Sequence, residues 1–293
     1  MNEKTAFGIT PGFQEASLVP GEKYRGVISV VNPSPDKDNR VSFEVFVAPF
    51  SVEGTEYTIN FEKENDYSQI TNWVSLDVTS GTLASEEILE IPFTIDVPED
   101  VAGGGQYMAF IMRLKENEPK KNGYQIISNR QAASIFYASV DGEERIEGKV
   151  LENKIPGFVF DTQISASSLV ENSGNIHTKI AYNLDVYQLF SNEIVYSNQN
   201  NPKENIILPG TKLFSNSIWD ETPELGLFRV VQTISGIGDT SVVEKTVFVC
   251  PTWFLIAWLL LIFGGIFGIF IGSRLRKKTE KRAEEYINPT VSR

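Results

Sequence analysis

The feature that most constrains this chain is an uncharged apolar run near the C-terminus. Residues 253–271 read WFLIAWLLLIFGGIFGIFI and contain no charged side chain. An α-helix rises about 1.5 Å per residue, so about 20 apolar residues cross the roughly 30 Å hydrocarbon core of a bilayer. A buried helix of a globular protein would show a polar stripe, which this run lacks. The sequence therefore predicts one membrane-spanning helix, over residues 251–273.

The residues that flank this run predict its orientation. Six cations follow it directly: Arg274, Arg276, Lys277, Lys278, Lys281 and Arg282. Segments rich in Lys and Arg stay in the cytoplasm, and Trp residues favour the membrane–water interface. Trp253 and Trp258 lie at the other end of the run. We therefore predict a single-pass cell-membrane protein with residues 1–252 outside the cell and residues 274–293 as a basic cytoplasmic tail.

The net charge of the chain is unevenly divided. Residues 274–293 hold seven Lys or Arg and three Asp or Glu, a charge of +4, so the first 273 residues carry −16. Proteins that bind nucleic acid need a basic surface, and this acidic body argues against nucleic acid as a partner. It argues equally against electrostatic docking of the body onto anionic lipid.

Cysteine usage and the N-terminal sequence indicate a bacterial envelope protein. Cys250 is the only cysteine, and no Asn opens a glycosylation acceptor, whereas exported eukaryotic β-proteins often carry both disulfides and glycans. The chain begins MNEKTAFGITPG, which lacks the apolar segment of a signal peptide. Since export of the N-terminal part requires such a peptide, we expect the sequence to start near the mature N-terminus. The alternative, a tail-anchored cytoplasmic protein, is disfavoured by the basic cluster after the helix.

Alternating apolar residues and turn signals predict an all-β fold before the membrane. VSFEVFV at residues 41–47 has the period-two pattern of a strand with one buried face. Similar runs precede and follow it, and the glycines at 103–105 predict a flexible turn. Residues 158–249 hold about seven further strands, the number typical of an immunoglobulin-like sandwich. ENSGN at residues 171–175 predicts a tight turn whose Asn and Gly residues accept positive φ.

These patterns predict two tandem immunoglobulin-like β-sandwich domains followed by a single transmembrane helix. The charged stretch at 141–155 places the boundary, giving an N-terminal domain over residues 1–145 and a second domain over 146–250. Pro20-Gly21 and Pro209-Gly210 each precede a strand and predict type II turns, in which glycine takes positive φ. The shared turn is consistent with a repeated architecture.

Two sets of residues are candidates for contacts with partners. Gly264, Gly268 and Gly272 fall on one helix face, a spacing that lets two helices approach closely and self-associate, although glycine is also common in membrane helices. Four aromatic residues lie in a segment with few strand signals: Tyr57, Phe61, Tyr67 and Trp73. Exposed, they would stack on sugar rings or hold a protein partner; buried, they would close one end of a sandwich.

No group of residues predicts catalysis, a metal site or a cofactor. His177 is the only histidine, which excludes paired-histidine metal motifs, and we expect it at a solvated strand position. The sequence has no Gly-x-Ser-x-Gly elbow, so an envelope hydrolase is disfavoured. Cys250 is expected to be a buried or interfacial thiol. The chain is therefore predicted not to be an enzyme.

Several segments resemble those of the WxL-interacting proteins of Gram-positive cell envelopes. In the first half these are PGEKY (20–24), VVNPS (30–34) and VPEDVAGGGQYMAFI (97–111); in the second half they are ENSGN (171–175), LPGTK (208–212) and ETPELGLFRV (221–230). The resemblance implies a first domain that binds peptidoglycan and a second that binds host or partner proteins. We therefore predict a membrane-anchored bacterial surface protein, with a role in adhesion, that binds cell-wall glycan or other surface proteins. The alternative is a structural accessory subunit of a membrane or envelope complex.

Overall fold

The structure is a computed structural model that describes residues 7–115, 130–160, 163–191, 193–199, 205–222 and 225–287. These residues form mostly β-sheet followed by one long helix, α1 (Thr252–Ile287). The prediction of a β-rich chain that ends in one apolar helix is confirmed.

The first eleven strands form the N-terminal unit, residues 7–140. They are β1 (Gly8–Thr10), β2 (Phe13–Leu18), β3 (Lys23–Val31), β4 (Val41–Pro49), β5 (Ser51–Glu53), β6 (Thr58–Asn60), β7 (Val74–Leu76), β8 (Ser80–Leu83), β9 (Ile88–Asp96), β10 (Gly104–Leu114) and β11 (Gln131–Val140). A 3-10 helix, Gln69–Asn72, precedes β7.

The other ten strands form the C-terminal unit, residues 148–249. They are β12 (Gly148–Lys154), β13 (Phe158–Val159), β14 (Ile164–Asn172), β15 (Thr178–Lys179), β16 (Ala181–Gln188), β17 (Ile194–Gln199), β18 (Ile206–Ile207), β19 (Lys212–Trp219), β20 (Gly226–Ser235) and β21 (Ser241–Val249). Strands β15 and β16 are separated at Ile180, whose backbone N–H donates to the carbonyl of Asn205.

In the described residues each unit contains two larger sheets with related strand orders, although the first sheet has four strands in the N-terminal unit and three in the C-terminal unit. In the N-terminal unit the orders are β1-β3-β9-β7 and β2-β11-β10-β4-β8. In the C-terminal unit they are β12-β14-β19 and β13-β21-β20-β16-β17. In both units the first strand pairs antiparallel with an early strand, and the second strand runs parallel to the last one.

The cores follow from the alternation in the strands. Along β4, Val41, Phe43 and Val45 are buried and point between the two sheets of the N-terminal unit. Phe93 and Phe110 pack with ring centroids 4.7 Å apart in the same core. Each unit therefore buries its own apolar side chains, which is the main stabilising contribution in a sandwich.

The two Pro-Gly turns have the predicted geometry. Gly21 has φ +78° and Gly210 has φ +71°, and in both turns the residue after glycine donates a backbone hydrogen bond three residues back. They precede β3 and β19, however, which occupy different places in their sheets. The shared turn is therefore a local feature and does not mark equivalent positions in the two units. What the units have in common is the related order of their strands.

The turn predicted at ENSGN is present between β14 and β15, although none of its residues has positive φ. The Asn172 side chain closes it, accepting from the N–H of Gly174 and donating to the carbonyls of Ile176 and Ile207. The prediction of a flexible turn at 103–105 is wrong, because Gly104 and Gly105 begin β10. Gly104 has φ +132°, and a Cβ there would lie 2.8 Å from the carbonyl oxygen of Asn175. These glycines therefore allow close contact between the two units.

Helix α1 begins three residues after the last strand. Its apolar part, within Thr252–Arg282, has a mean hydropathy of 2.7 and is not buried against the strands. By length and composition it is able to span a membrane. The helix continues beyond the predicted end at residue 273, through the basic residues to Ile287, and its orientation stays a prediction.

Candidate functional site

A groove of about 610 Å³ runs along one side of the N-terminal unit. It lies where edge strand β7 of one sheet faces β4 and β8 of the other. Its lining is mixed: apolar side chains such as Val45, Val74 and Leu76 alternate with the polar residues Glu44, Thr79, Ser80 and Lys115. The groove is open to solvent along this edge of the sandwich, which leaves space for an additional segment.

Strand β4 leaves part of its backbone edge open beside this groove. In the described structure β8 pairs with β4 over Val41–Glu44 alone, and Thr79 extends the pairing by accepting from the N–H of Val45 at 2.8 Å. Alternate residues of an antiparallel strand direct their N–H and C=O groups to the same side. Val47 therefore continues this row of backbone groups, and it lines the groove beyond the end of β8.

Charged side chains lie at one end of the groove. The Glu44 carboxylate is 3.0 Å from the guanidinium group of Arg113 and 3.6 Å from the ammonium group of Lys115. Arg113 also lies over the ring of Phe46, 4.7 Å from its centroid. Because one carboxylate faces two cations, these partly exposed groups leave this end of the groove polar, with a net charge of +1 that solvent screens.

A cluster of aromatic and aliphatic side chains joins the two units. Phe50, Tyr107 and Tyr137 of the N-terminal unit pack against Ile206 and Leu208 of the C-terminal unit, and all five are buried. The burial of apolar area from both units in one cluster stabilises their relative position.

Polar contacts also cross between the units. The backbone N–H of Gly105 donates to the carbonyl of Asn175 at 2.7 Å, and that of Phe214 donates to Thr55 at 2.7 Å. The Asn175 amide nitrogen donates to the Gly103 carbonyl. Because hydrogen bonds depend on direction, these contacts help to fix the orientation of the two units that the apolar packing holds together.

The four predicted contact aromatics are only half-exposed and pack within the protein. Phe61 and Tyr67 pack against the cluster that joins the units, and Tyr57 packs against it and against the core of the C-terminal unit. Trp73 packs against the core of the N-terminal unit. Their packing resembles the structural alternative, in which aromatic side chains close one end of a sandwich. Their contact with a ligand stays a prediction.

His177 lies between the units rather than at a solvated strand position. Its ring centroid is 5.5 Å from that of Tyr107 and 5.3 Å from that of Tyr137, and its Nδ1 atom is buried with no hydrogen-bond partner in the described structure. Burial lowers the pKa of His177; Lys179 acts in the same direction, and Glu15 and Glu144 oppose it. The neutral imidazole is therefore favoured in the folded protein.

The remaining predicted residues lie at or in α1. The Cys250 thiol is buried, as expected, and its backbone N–H donates to Val159 at 2.8 Å. Space around Gly264, Gly268 and Gly272 is open, since a Cβ on each would meet no atom within 4 Å. The basic residues Arg274, Arg276, Lys277, Lys278, Lys281 and Arg282 are exposed on the last part of the helix. Helix association and the role of these cations in topology stay predictions.

The described residues contain no group of three or more His, Cys, Asp or Glu side chains placed to hold a metal ion. The groove offers backbone hydrogen-bonding groups and apolar contacts, and the inter-unit cluster offers packing. Open backbone groups beside apolar contacts are the features that strand addition uses.

Neither a family model nor a curated protein matches this chain. Solved structures with a similar arrangement include the class 5 fimbriae chaperone CfaA, at 12% identity over 82% of this chain and 99% of that one, with a TM-score of 0.42. The E. coli chaperone DraB matches at 10% identity over 83% and 97%, with a TM-score of 0.37. The CsuC–CsuE chaperone–tip subunit complex of Acinetobacter baumannii matches at 11% over 82% and 98%, with a TM-score of 0.38. At these identities and TM-scores the similarity assigns neither ligand nor activity.

Sequence reasoning missed both the groove and the inter-unit cluster. Tyr107 and Tyr137 sit in strands with ordinary apolar patterns, and Phe50 directly follows one. Nothing in a period-two pattern distinguishes a side chain that faces its own core from one that faces another unit. The one signal available was Gly103–105, because consecutive glycines often mark a close backbone approach.

Proposed function

We propose that this chain is a non-catalytic, membrane-anchored bacterial surface protein that binds an extended segment of another envelope protein. The groove beside the open edge of β4 carries the proposal. In this proposal α1 crosses the cell membrane, the N-terminal and C-terminal units lie outside the cell, and the basic end of α1 lies inside.

The proposal treats the two units as tandem immunoglobulin-like domains. The related strand orders of the two units support this, since in each unit the first strand joins one sheet and the second strand joins the facing sheet. Such sandwiches act as rigid supports for binding surfaces in many unrelated proteins. The domain boundaries at 145 and 250 are part of the proposal.

The groove suits an extended peptide for two physical reasons. An added strand would satisfy the outward backbone groups of β4 near Val47, and main-chain hydrogen bonds of this kind supply affinity in strand addition. Alternate side chains of the same peptide would enter the gap lined by Val45, Val74 and Leu76. A partner segment with apolar residues at every second position is therefore the expected ligand.

Binding to peptidoglycan and membership of the WxL-interacting type also stay proposals that rest on sequence resemblance. A role as an accessory subunit would use the open glycine face of α1, and replacement of Gly264 and Gly268 by leucine would then disrupt a complex. The packing of the four aromatics inside the protein gives glycan stacking no specific support.

Site-specific photocrosslinking in membranes of the source cells tests the proposal. A photoreactive side chain replaces Ser80, which is exposed on the groove wall, and in a control it replaces Ile88, which is exposed elsewhere on the same unit. We expect a protein adduct from position 80 and not from position 88. The crosslinked segment, made as a synthetic peptide, should bind the purified full chain.

Two further results decide between ligands. A Ser80→Trp variant, which narrows the groove, should weaken binding of that peptide at least tenfold, while Ile88→Trp should leave it unchanged. Adducts of equal yield at positions 80 and 88 would contradict the groove as the binding site. If the full chain instead sediments with insoluble peptidoglycan and no peptide binds, the wall-binding reading replaces this one.

A further inference from the structure

Five large apolar side chains are exposed together at one end of the C-terminal unit. We call this set the apolar rim: Phe158, Phe160, Phe190, Leu225 and Leu227. Phe190 is the most exposed of them, at 87%. Single exposed apolar residues are ordinary on a protein surface, but a group of this size marks an interaction site.

Strand register places the rim where the chain enters α1. Phe158 and Leu227 both lie opposite Phe248, and Gly226 lies opposite Val249, the last residue of β21. The loop that carries Phe190 is held at the same end, because the N–H of Leu189 donates to the carbonyl of Leu227. The rim therefore surrounds the C-terminal end of β21.

The connection to the helix is too short to move the rim far from the membrane. Only Cys250 and Pro251 separate β21 from Thr252, and three peptide steps span at most about 11 Å. Cys250 is held to the C-terminal unit by its hydrogen bond to Val159, at 2.8 Å. The rim thus lies at the level where Trp253 begins the apolar helix.

Neither contact with the N-terminal unit nor electrostatic attraction to lipid explains why these apolar side chains are exposed. The N-terminal unit contacts the opposite end of the C-terminal unit, around Asn175 and Leu208. The charged residues near the rim are of both signs: Glu193, Asp220 and Glu221 are exposed and acidic, and the ammonium group of Lys245 donates to the carbonyl of Ile155. This set forms no cationic patch that would attract anionic lipid. The surface suits an uncharged, apolar environment.

We propose that the apolar rim inserts into the interfacial layer of the membrane that α1 spans, so that the C-terminal unit is seated on the bilayer as well as tethered to it. The inference rests on the proposed membrane anchor. Phe and Leu side chains partition favourably into this layer, and helix α1 supplies the proximity that makes a small apolar area sufficient.

Spin labels on the full chain test this proposal in nanodiscs of zwitterionic phosphatidylcholine with one copy per disc. Cys250→Ala provides a cysteine-free background, and labels are placed through Phe190→Cys, Val242→Cys and Phe267→Cys. Val242 is 58% exposed at the other end of β21, and Phe267 is exposed within the apolar helix. The measurement compares the accessibility of each label to oxygen with its accessibility to a water-soluble nickel complex.

We expect the oxygen-to-nickel ratio at 190 to exceed that at 242 several-fold and to approach that at 267. Phe160→Ser with Leu225→Ser should lower the ratio at 190 at least twofold. Equal ratios at 190 and 242, with a high ratio at 267, would overturn the rim proposal alone. A label at 190 shielded from both reagents would also overturn it, since a protein contact would then cover the rim. A low ratio at 267 would overturn the membrane anchor and with it the rim.

Discussion

Tyr107 contributes to the contact between the units through both its ring and its hydroxyl group. The hydroxyl accepts a hydrogen bond from the backbone N–H of His177 at 2.8 Å, and burial raises the pKa of Tyr107 above its usual value. The phenol is therefore neutral at physiological pH and satisfies a backbone group that would otherwise be buried without a partner.

Replacement of Tyr107 by Phe should destabilise the protein by about 1–3 kcal/mol, because the N–H of His177 loses its acceptor. Tyr182→Phe is the matched control: Tyr182 is fully buried, and its hydroxyl has no hydrogen-bond partner in the described structure. That change should be neutral or slightly stabilising. Urea unfolding of both variants measures the difference, and equal losses would contradict the role given to the Tyr107 hydroxyl.

The stability of the protein should fall on mild acidification because of His177. Its pKa in the folded protein is lowered by burial, so as pH falls below about 6.5 the unfolded state binds the proton first. The stability that is fully present above this pH is therefore lost progressively as pH falls through the folded-state pKa.

His177→Phe should reduce this acid sensitivity, because phenylalanine keeps a ring between Tyr107 and Tyr137 and cannot titrate. The measurement is the drop in Tm between pH 7.5 and pH 5.5 for both proteins. The single histidine of the chain makes the comparison direct. An identical drop in the variant would assign the acid sensitivity to carboxylates instead.

At the scale of elements, the sequence predicted the strands whose side chains alternate and missed those shaped by tertiary contacts. Runs such as 41–47 and 88–97 became β4 and β9, because apolar residues at every second position bury one face. The hairpin β5–β6 and the 3-10 helix carry no such period. Their positions are set by contacts to other elements, such as the N–H of Ile70 donating to the side chain of Gln106.

Pro92 illustrates why a local rule can mislead. Proline within a strand usually marks an edge strand or a bulge, yet β9 is an inner strand in regular register with β3. The neighbouring β7 ends where Leu76 pairs with Phe93. Beyond this pair the carbonyl of Pro92 accepts from the N–H of Asp77 at 3.1 Å, so the N–H that proline lacks is not needed on that side. The length of a neighbouring strand is not visible in a single sequence, and the same is true of the groove that β7 borders.

The glycines that start β10 give a prediction at this scale. Gly104→Ala should cost about 2–5 kcal/mol, because alanine strains the backbone at φ +132° and its Cβ overlaps Asn175. Gly210→Ala separates the two effects, since Gly210 has φ +71° with open space around it, and should cost about 1–2 kcal/mol. Denaturant unfolding compares the two, and a smaller loss at Gly104 would contradict the tight contact.

At the scale of the whole molecule, the contacts between the units predict a single rigid body. Spin labels at Ile88→Cys and Val242→Cys, in the Cys250→Ala background, report one distance between the N-terminal and C-terminal units. We expect a single narrow distribution, and Tyr107→Ala should broaden it by removing a buried ring from the joining cluster. A broad distribution in the unaltered protein would mean that the two units move independently.

The short connection after β21 has a mechanical consequence. A partner held in the groove and pulled away from the cell would load the chain between the N-terminal unit and α1, and β21 would transmit that load to the membrane. This nine-residue strand lies between β13 and β20, with all nine of its residues paired to β20. Tension along it would shear the whole ladder at once rather than open one hydrogen bond at a time, so the strand next to the anchor is placed to resist force.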